Sequence, residues 1–122
     1  MPLRCLIVDD NASFLEEAAA LLRREGLVVA GSASNMHEAL ERARELRPDV
    51  ALVDILLGSE SGFEVARRLV EADGGTLSVI LISTHAEGDF ADLIEEAPVA
   101  GFVPKSELSR SAIGRLLESA AP

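Results

Sequence analysis

The sequence predicts an α/β protein, a doubly wound parallel sheet of five strands with helices on both faces. Three observations predict it. The apolar pattern alternates repeatedly between short runs with no polar side and longer stretches with helical spacing. The short runs have strand length and are rich in Val, Ile and Leu, like strands buried on both faces. Capping and breaking residues fall at the joins, and a strand–helix order repeated with right-handed crossovers yields one parallel sheet.

The first strand is read in LRCLIVDD, and the helix after it from Phe14, Ala18, Leu21 and Leu22, which share one face. Ser13 and Glu16 have capping-box spacing there, and Gly26 is placed to end that helix. The second strand lies in LVVAGS. Asn35 with Glu38 heads the next helix, its inner face is Met36, Ala39, Leu40, Ala43 and Leu46, and Pro48 closes it. DVALVD is the third strand. It stops on a carboxylate, Asp54, and runs through ILLGSESG into a helix that Gly62 opens, with Ser61 and Glu64 at capping-box spacing. That helix turns Phe63, Ala66, Leu69 and Val70 inward, and EADGGT, residues 71–76, is a turn. LSVILIS is the fourth strand, followed by a helical face of Phe90, Leu93, Ile94 and Ala97. AGFVPK is the fifth, followed by Leu108, Ala112, Ile113, Leu116 and Leu117.

The 122 residues form a single domain, 1–122, long enough to bury one core. Aromatic residues make up only 3% against 48% hydrophobic, so that core must be built from Leu, Val, Ile and Ala around four Phe. With 21 acidic against 11 basic side chains the net charge is -10, which repels nucleic acid and anionic membrane, so direct contact with either is not expected. The single cysteine, Cys5, excludes an internal disulfide, and its neighbours Leu6, Ile7 and Val8 mark it as a small buried hydrophobe. The run in MPLRCLIVDD is too short to span a membrane and lacks a signal cleavage site, so the expected address is cytoplasmic.

Open parallel sheets bind ligands beyond the carboxyl ends of their strands. At those ends the first strand delivers Asp9 and Asp10, the third Asp54, the fourth Ser83 and Thr84, and the fifth Lys105. Taken singly, each has an ordinary explanation as a loop acid, a cap or a surface cation. Together they would repel or desolvate badly unless they surround a ligand. Three carboxylates make a hard oxygen site that suits Mg²⁺ with retained waters better than zinc. A carboxylate between such a cation and a lysine is placed to attack a phosphoryl group. His37 and His85, far apart on segments of helical character, are read as surface or core residues.

The paired DD after the first strand, VDILLGSESG with glycine eight residues after its aspartate, ILIST, and GFVPK occur in order along nearly the whole chain. They resemble the receiver domain of bacterial two-component response regulators. The resemblance implies a flavodoxin-like (βα)5 sheet with strand order 2-1-3-4-5. It makes Asp54 the phosphoacceptor and Asp9 with Asp10 the acidic pair, the Mg²⁺ ligands being completed by Asp54 and the backbone carbonyl of Leu56. It makes Lys105 the phosphoryl-contacting lysine, Ser83 the switch hydroxyl, Phe102 the switch aromatic, and Thr84 a backbone contact to a phosphoryl oxygen. The implied partner is a sensor histidine kinase, with the signal leaving through the fourth helix, fifth strand and fifth helix. Such a domain catalyses only its own phosphorylation and dephosphorylation.

The last segment, ELSRSAIGRLLESAAP, resembles a final helix running into a small-residue linker, so a C-terminal DNA-binding output domain outside this chain is expected, with a homodimer as a further option. Two positions depart from the family pattern. Gly58 stands where many receivers have proline, which implies a looser loop. Ser106 follows Lys105 where proline is usual, which removes the favoured route to a cis peptide.

Two rival readings use the same residues. A haloacid-dehalogenase-type phosphohydrolase needs a second aspartate two residues after its nucleophile, but Asn11 follows Asp9 and Leu56 follows Asp54 at that distance. A phosphate-independent interaction module would tolerate loss of the site, whereas Asp9, Asp10, Asp54, Ser83 and Lys105 are all present.

Overall fold

The computed structural model describes residues 3–85 and 87–120. Its sheet comprises β1 (Arg4–Val8), β2 (Val28–Ala33), β3 (Val50–Asp54), β4 (Ser78–Ser83) and β5 (Gly101–Pro104). All pairings are parallel, and the order across the sheet is 2-1-3-4-5, as expected. The helices are α1 (Ala12–Arg24), α2 (Met36–Leu46), α3 (Gly62–Asp73), α4 (Ala91–Glu96) and α5 (Arg110–Ala120). The far end of the small-residue tail, residues 121–122, lies outside the described residues.

Alternation along the strands divides the core in two. Leu6, Val8, Ala51, Val53, Val79, Leu81 and Phe102 face α2, α3 and α4. Cys5, Ile7, Leu52, Ile80, Ile82 and Val103 face α1 and α5. Every residue of β3 is buried, because it has strands on both edges and helices on both faces. The expectation of two-sided burial fails at the edge strand β2, where Val28 is exposed, since no neighbour covers its outer side.

The helix ends follow local chemistry. Asn35 caps α2 by accepting from the Glu38 N–H at 2.9 Å, and Ser61 caps α3 through the Phe63 N–H at 3.2 Å. The cap of α1 is Asn11 rather than the Ser13 pair: its side chain accepts from the Phe14 N–H, and Ser13 already lies inside the helix. The helix starts early because Asp9 Oδ1 takes the Asn11 N–H at 2.8 Å and turns the chain there. The fourth helix is shorter than its apolar spacing predicts. Phe90 belongs to a preceding 3-10 turn, and Leu93 points to solvent with 52% exposure.

The loop after Asp54 is ordered rather than loose. Leu56–Leu57 pairs with Glu60–Ser61 as a miniature antiparallel hairpin around Gly58 and Ser59. Gly58 has φ +62, as the first central residue of a type II′ turn requires, and glycine adopts that conformation without strain. Glu60 then reaches across to accept the Met36 N–H at 2.9 Å, tying the hairpin to the start of α2. Gly62 is required for a different reason. A Cβ there would lie 2.0 Å from the Asp54 carbonyl oxygen, so α3 can begin against the end of β3 only without a side chain.

Candidate functional site

Two sequence-distant segments place their acids together. Asp9 follows β1, and its backbone N–H donates to Ala33 O at 2.9 Å, which holds the residue at the strand end with its side chain fully buried. Asp10, next along, is exposed. Asp54 closes β3 and is buried, with Oδ1 accepting the Leu56 N–H at 3.2 Å. Carboxylate oxygens of Asp9, Asp10 and Asp54 lie within 4.8 Å of one another.

Lys105, immediately after β5, extends its ammonium into this group. Nζ lies 2.5 Å from Asp9 Oδ2 and donates to Asp54 Oδ2 at 3.1 Å. The Asp9 contact is one of charge more than of direction, since Asp9 Oδ2 receives no well-aligned hydrogen bond despite complete burial. Nζ also sits 4.3 Å from the centroid of the Phe14 ring, on the first turn of α1. Burial pulls the lysine pKa down, but the Asp9 contact and the charge and hydrogen bond of Asp54 outweigh it, and the pKa ends above its ordinary value. Asp54 is pushed up. Desolvation is the largest cause, partly offset by Lys105 and reinforced by the neighbouring charge of Asp9.

The donor set fits a hard divalent cation. Three carboxylates supply oxygen only, and a buried lone pair on Asp9 Oδ2 lacks a directed donor. Two buried acids and an exposed third beside one lysine leave excess negative charge that a cation would neutralise.

Ser83 ends β4, nearly without exposure, and its Oγ accepts from the His85 N–H at 2.9 Å. The imidazole Nδ1 of His85 lies 3.4 Å from the same oxygen, and the ring meets Phe90 edge-on with centroids 5.9 Å apart. Thr84 is exposed beside it. Phe102 is buried on β5 in the core layer facing α4. The residue after Lys105 is Ser106, and the described residues contain no cis peptide bond.

The profile of the response regulator receiver domain family matches residues 5–117. The chain belongs to this family. It is 32% identical over 104 residues to the response regulator GacA of Pseudomonas viridiflava, covering 84% of this chain and 48% of that protein. Against the DNA-binding response regulator MtrA of Mycolicibacterium paratuberculosis it is 38% identical over 91 residues, 75% of this chain and 38% of that protein. The crystal structure of a LuxR-family two-component response regulator from Aurantimonas sp. SI85-9A1 superposes with a TM-score of 0.82 at 27% identity, covering 97% of this chain and 87% of that one. The receiver chain thus spans half or less of the length of these curated relatives. As a receiver domain it is a phosphorylation-based signalling switch of two-component systems.

The sequence predicts Asp9, Asp10, Asp54, Ser83, Thr84 and Lys105 at one sheet edge, and the receiver structure puts all of them there. Leu56 adjoins Asp54 through its N–H, with its side chain 49% exposed. Three participants were missed. Phe14 is read only as core, because helical spacing says nothing about a lysine 91 residues later. His85 was placed on a helical segment, yet it lies in the loop after β4 against Ser83. The clue was its position two residues beyond the strand-end hydroxyl. Glu60 carried no signal, since its partner is a backbone N–H.

Proposed function

We propose that Asp54 is the phosphoacceptor of this receiver domain and takes its phosphoryl group from a phosphohistidine of a sensor histidine kinase. The observation that carries this reading is the convergence of Asp9, Asp10 and Asp54 with Lys105 Nζ seated between two of them. An Asp54 carboxylate oxygen forms the new P–O bond while the P–N bond to the kinase imidazole breaks, its electron pair returning to the ring nitrogen. Asp54 is suited to this because Lys105 and the Leu56 N–H hold its two oxygens in fixed directions.

Mg²⁺ is the proposed cofactor, held by Asp9, Asp10, Asp54 and the backbone carbonyl of Leu56. When bound it supplies charge neutralisation for the transferring phosphoryl oxygens. Lys105 adds a second positive charge from just beyond the edge strand β5. The Thr84 N–H is the proposed donor to a further oxygen. Hydrolysis of the same aspartyl phosphate by water resets the domain, so its chemistry is confined to its own modification.

Ser83 and Phe102 are the proposed switch pair. The Ser83 hydroxyl is engaged by His85, and donating its proton to a phosphoryl oxygen draws it away from the imidazole. Phe102 lies on β5 beside Leu81, in the strand pairing that also places Ser83 opposite Pro104, so movement at the end of β4 reaches β5 directly. The α4–β5–α5 face is then the surface whose two states phosphorylation biases. The domain boundary is taken as residues 1–122, with a DNA-binding output domain as in MtrA as the proposed C-terminal continuation and the cytoplasm as the compartment; dimerisation through this domain is part of the same reading. No helix among the described residues is long and apolar enough to cross a membrane.

Incubation with acetyl phosphate and Mg²⁺ tests the reading by intact mass. The wild type gains one phosphoryl group and Asp54→Asn gains none. Equal labelling of both would move the acceptor elsewhere.

A further inference from the structure

The hairpin after Asp54 borders the acidic cluster at two points. Leu56 donates its N–H to Asp54 Oδ1 at 3.2 Å, and a Cβ on Gly58 would stand 3.4 Å from Asp10 Oδ2. Its pairing also sets what the Leu56 carbonyl can do. Bonded and unbonded pairs alternate along an antiparallel ladder. Leu57 and Glu60 flank the two-residue turn as the bonded pair, and beyond Ser61 the Gly62 N–H bonds Ile55 O at 2.7 Å. Leu56 and Ser61 are therefore the unbonded pair, which leaves the Leu56 carbonyl out of the ladder.

Two residues a side do not hold such a hairpin by themselves, since an isolated two-stranded hairpin is marginal in water. Leu57 is buried in the core, but Leu56, Gly58 and Ser59 are exposed. Glu60 supplies a second anchor. Its Oε1 accepts the Met36 N–H at 2.9 Å, among the described residues the hairpin's one side-chain hydrogen bond to a segment distant in sequence. Met36 opens α2, where the first N–H groups have no partner inside the helix and the dipole favours a carboxylate. Capping is not the whole of it. Asn35 already caps α2 through the Glu38 N–H, and Glu38 in turn takes the Ser34 N–H at 2.8 Å. What Glu60 adds is a tie between α2 and the loop that flanks Asp54.

We propose that Glu60 is a positioning residue for the metal site: by clamping the hairpin to α2 it keeps the Leu56 carbonyl and the Gly58 turn in register with Asp54 and Asp10. The role rests on the proposed Mg²⁺ ligands Asp9, Asp10, Asp54 and the Leu56 carbonyl. Glu60 acts on them through the hairpin backbone alone. Where an ion needs the formed hairpin, its apparent affinity scales with the fraction of chains in which that hairpin is formed.

Amide hydrogen exchange of the metal-free chain and a Mg²⁺ titration followed by amide NMR test this. Glu60→Ala should speed exchange of the Leu57 and Glu60 amides and weaken Mg²⁺ binding about fivefold, the scale of one hydrogen bond. Met36→Pro removes the donor instead, at a helix position that suits proline, and should weaken Mg²⁺ similarly with the Glu60 charge intact. Glu60→Gln keeps an oxygen acceptor without the charge and should stay near wild type in both readouts. Asn35→Ala removes the α2 cap, so it should lower the melting temperature yet leave Mg²⁺ affinity unchanged. Glu60 loses the role if Mg²⁺ affinity is unmoved in Glu60→Ala, or in Met36→Pro should the first variant fold poorly. It loses it too if Glu60→Gln binds as weakly as Glu60→Ala, making charge the cause, or if Asn35→Ala does, making helix stability the cause. A wild type that binds no Mg²⁺ would overturn the metal site itself, and this role with it.

Discussion

Lys105 Nζ lies 3.1 Å from Asp54 Oδ2, so the last sheet strand supplies the cation for an acid that the central strand ends on. The neutralisation is incomplete: burial, and then the charge of Asp9, keep the Asp54 pKa above its ordinary value even with the lysine present. Between the ordinary and raised values the folded chain binds more protons than the unfolded one, so this group's contribution is complete in acid and is lost as pH rises through the folded pKa. Asp54→Asn keeps the shape and removes that penalty. In the absence of metal it should stabilise the domain at neutral pH. Urea unfolding should show the gain shrinking as pH falls toward about 3.9, the ordinary aspartate value. A gain that grows in acid would contradict the stated cause.

Gly62 and Gly114 make opposite predictions for the same substitution. Gly62→Ala places a methyl group 2.0 Å from Asp54 O and 2.7 Å from Ile55 Cα, both backbone atoms that cannot swing aside. The expected cost is about 1–3 kcal/mol or more, with reduced labelling by acetyl phosphate as β3 shifts. Gly114→Ala, within α5 and with no atom inside 4 Å of the added carbon, should gain about 0.5–1 kcal/mol from helix propensity. Equal effects in paired urea melts would refute the packing argument.

The contrast between what was legible and what was hidden follows from the range of the interactions. Val50 to Asp54 could be read as a buried strand because burial on both faces leaves an unbroken apolar run. Asp9, Asp54 and Lys105 could be placed at one edge because the parallel topology sends every strand's carboxyl end the same way. Local rules also located Asn35 and Ser61 as caps. They failed for Ser13, since the decisive contact, Asp9 Oδ1 to the Asn11 N–H, depends on an aspartate held by the sheet. The four residues Leu56, Leu57, Glu60 and Ser61 are too few to show a strand period, so their hairpin was read as loop. Leu93 shows the limit of periodicity: it continues the apolar spacing of α4 but faces solvent, while Ile94 beside it packs on the core.

Phe14 is expected to matter to chemistry as well as packing. Its ring lies under the Lys105 ammonium at 4.3 Å, and a partly buried cation–π contact is worth about 0.5–2 kcal/mol. Phe14→Leu retains an apolar side chain but removes the π face. Stability should fall by about 1 kcal/mol, and labelling by acetyl phosphate should slow severalfold as Lys105 loses one of its three anchors. Mg²⁺ affinity, set by the acids, should stay near wild type. An unchanged labelling rate beside an unchanged Mg²⁺ affinity would reduce Phe14 to a packing residue.

Asp9 and Asp10 allow folding and metal binding to be separated. Asp9 is fully buried against Lys105, whereas Asp10 is exposed, and a Cβ on Gly58 would approach Asp10 Oδ2 only to 3.4 Å, leaving its side chain free of close constraint. Without metal, Asp10→Asn should alter stability by no more than about 0.5 kcal/mol, as for most surface changes. With Mg²⁺ at a hundred times its dissociation constant, the wild type should gain about 2.7 kcal/mol, because an ion that binds only the folded chain shifts the equilibrium by mass action. Asp10→Asn should lose much of that gain at the same metal concentration, since a charged oxygen ligand is replaced by a neutral one. Asp9→Asn should lose it too, and its metal-free stability should also change, because the substitution disturbs the contact with Lys105. Thermal or urea melts with and without Mg²⁺ read both quantities in one experiment. Full metal stabilisation in both variants would take the paired acids out of the metal site, whatever their distance from Asp54.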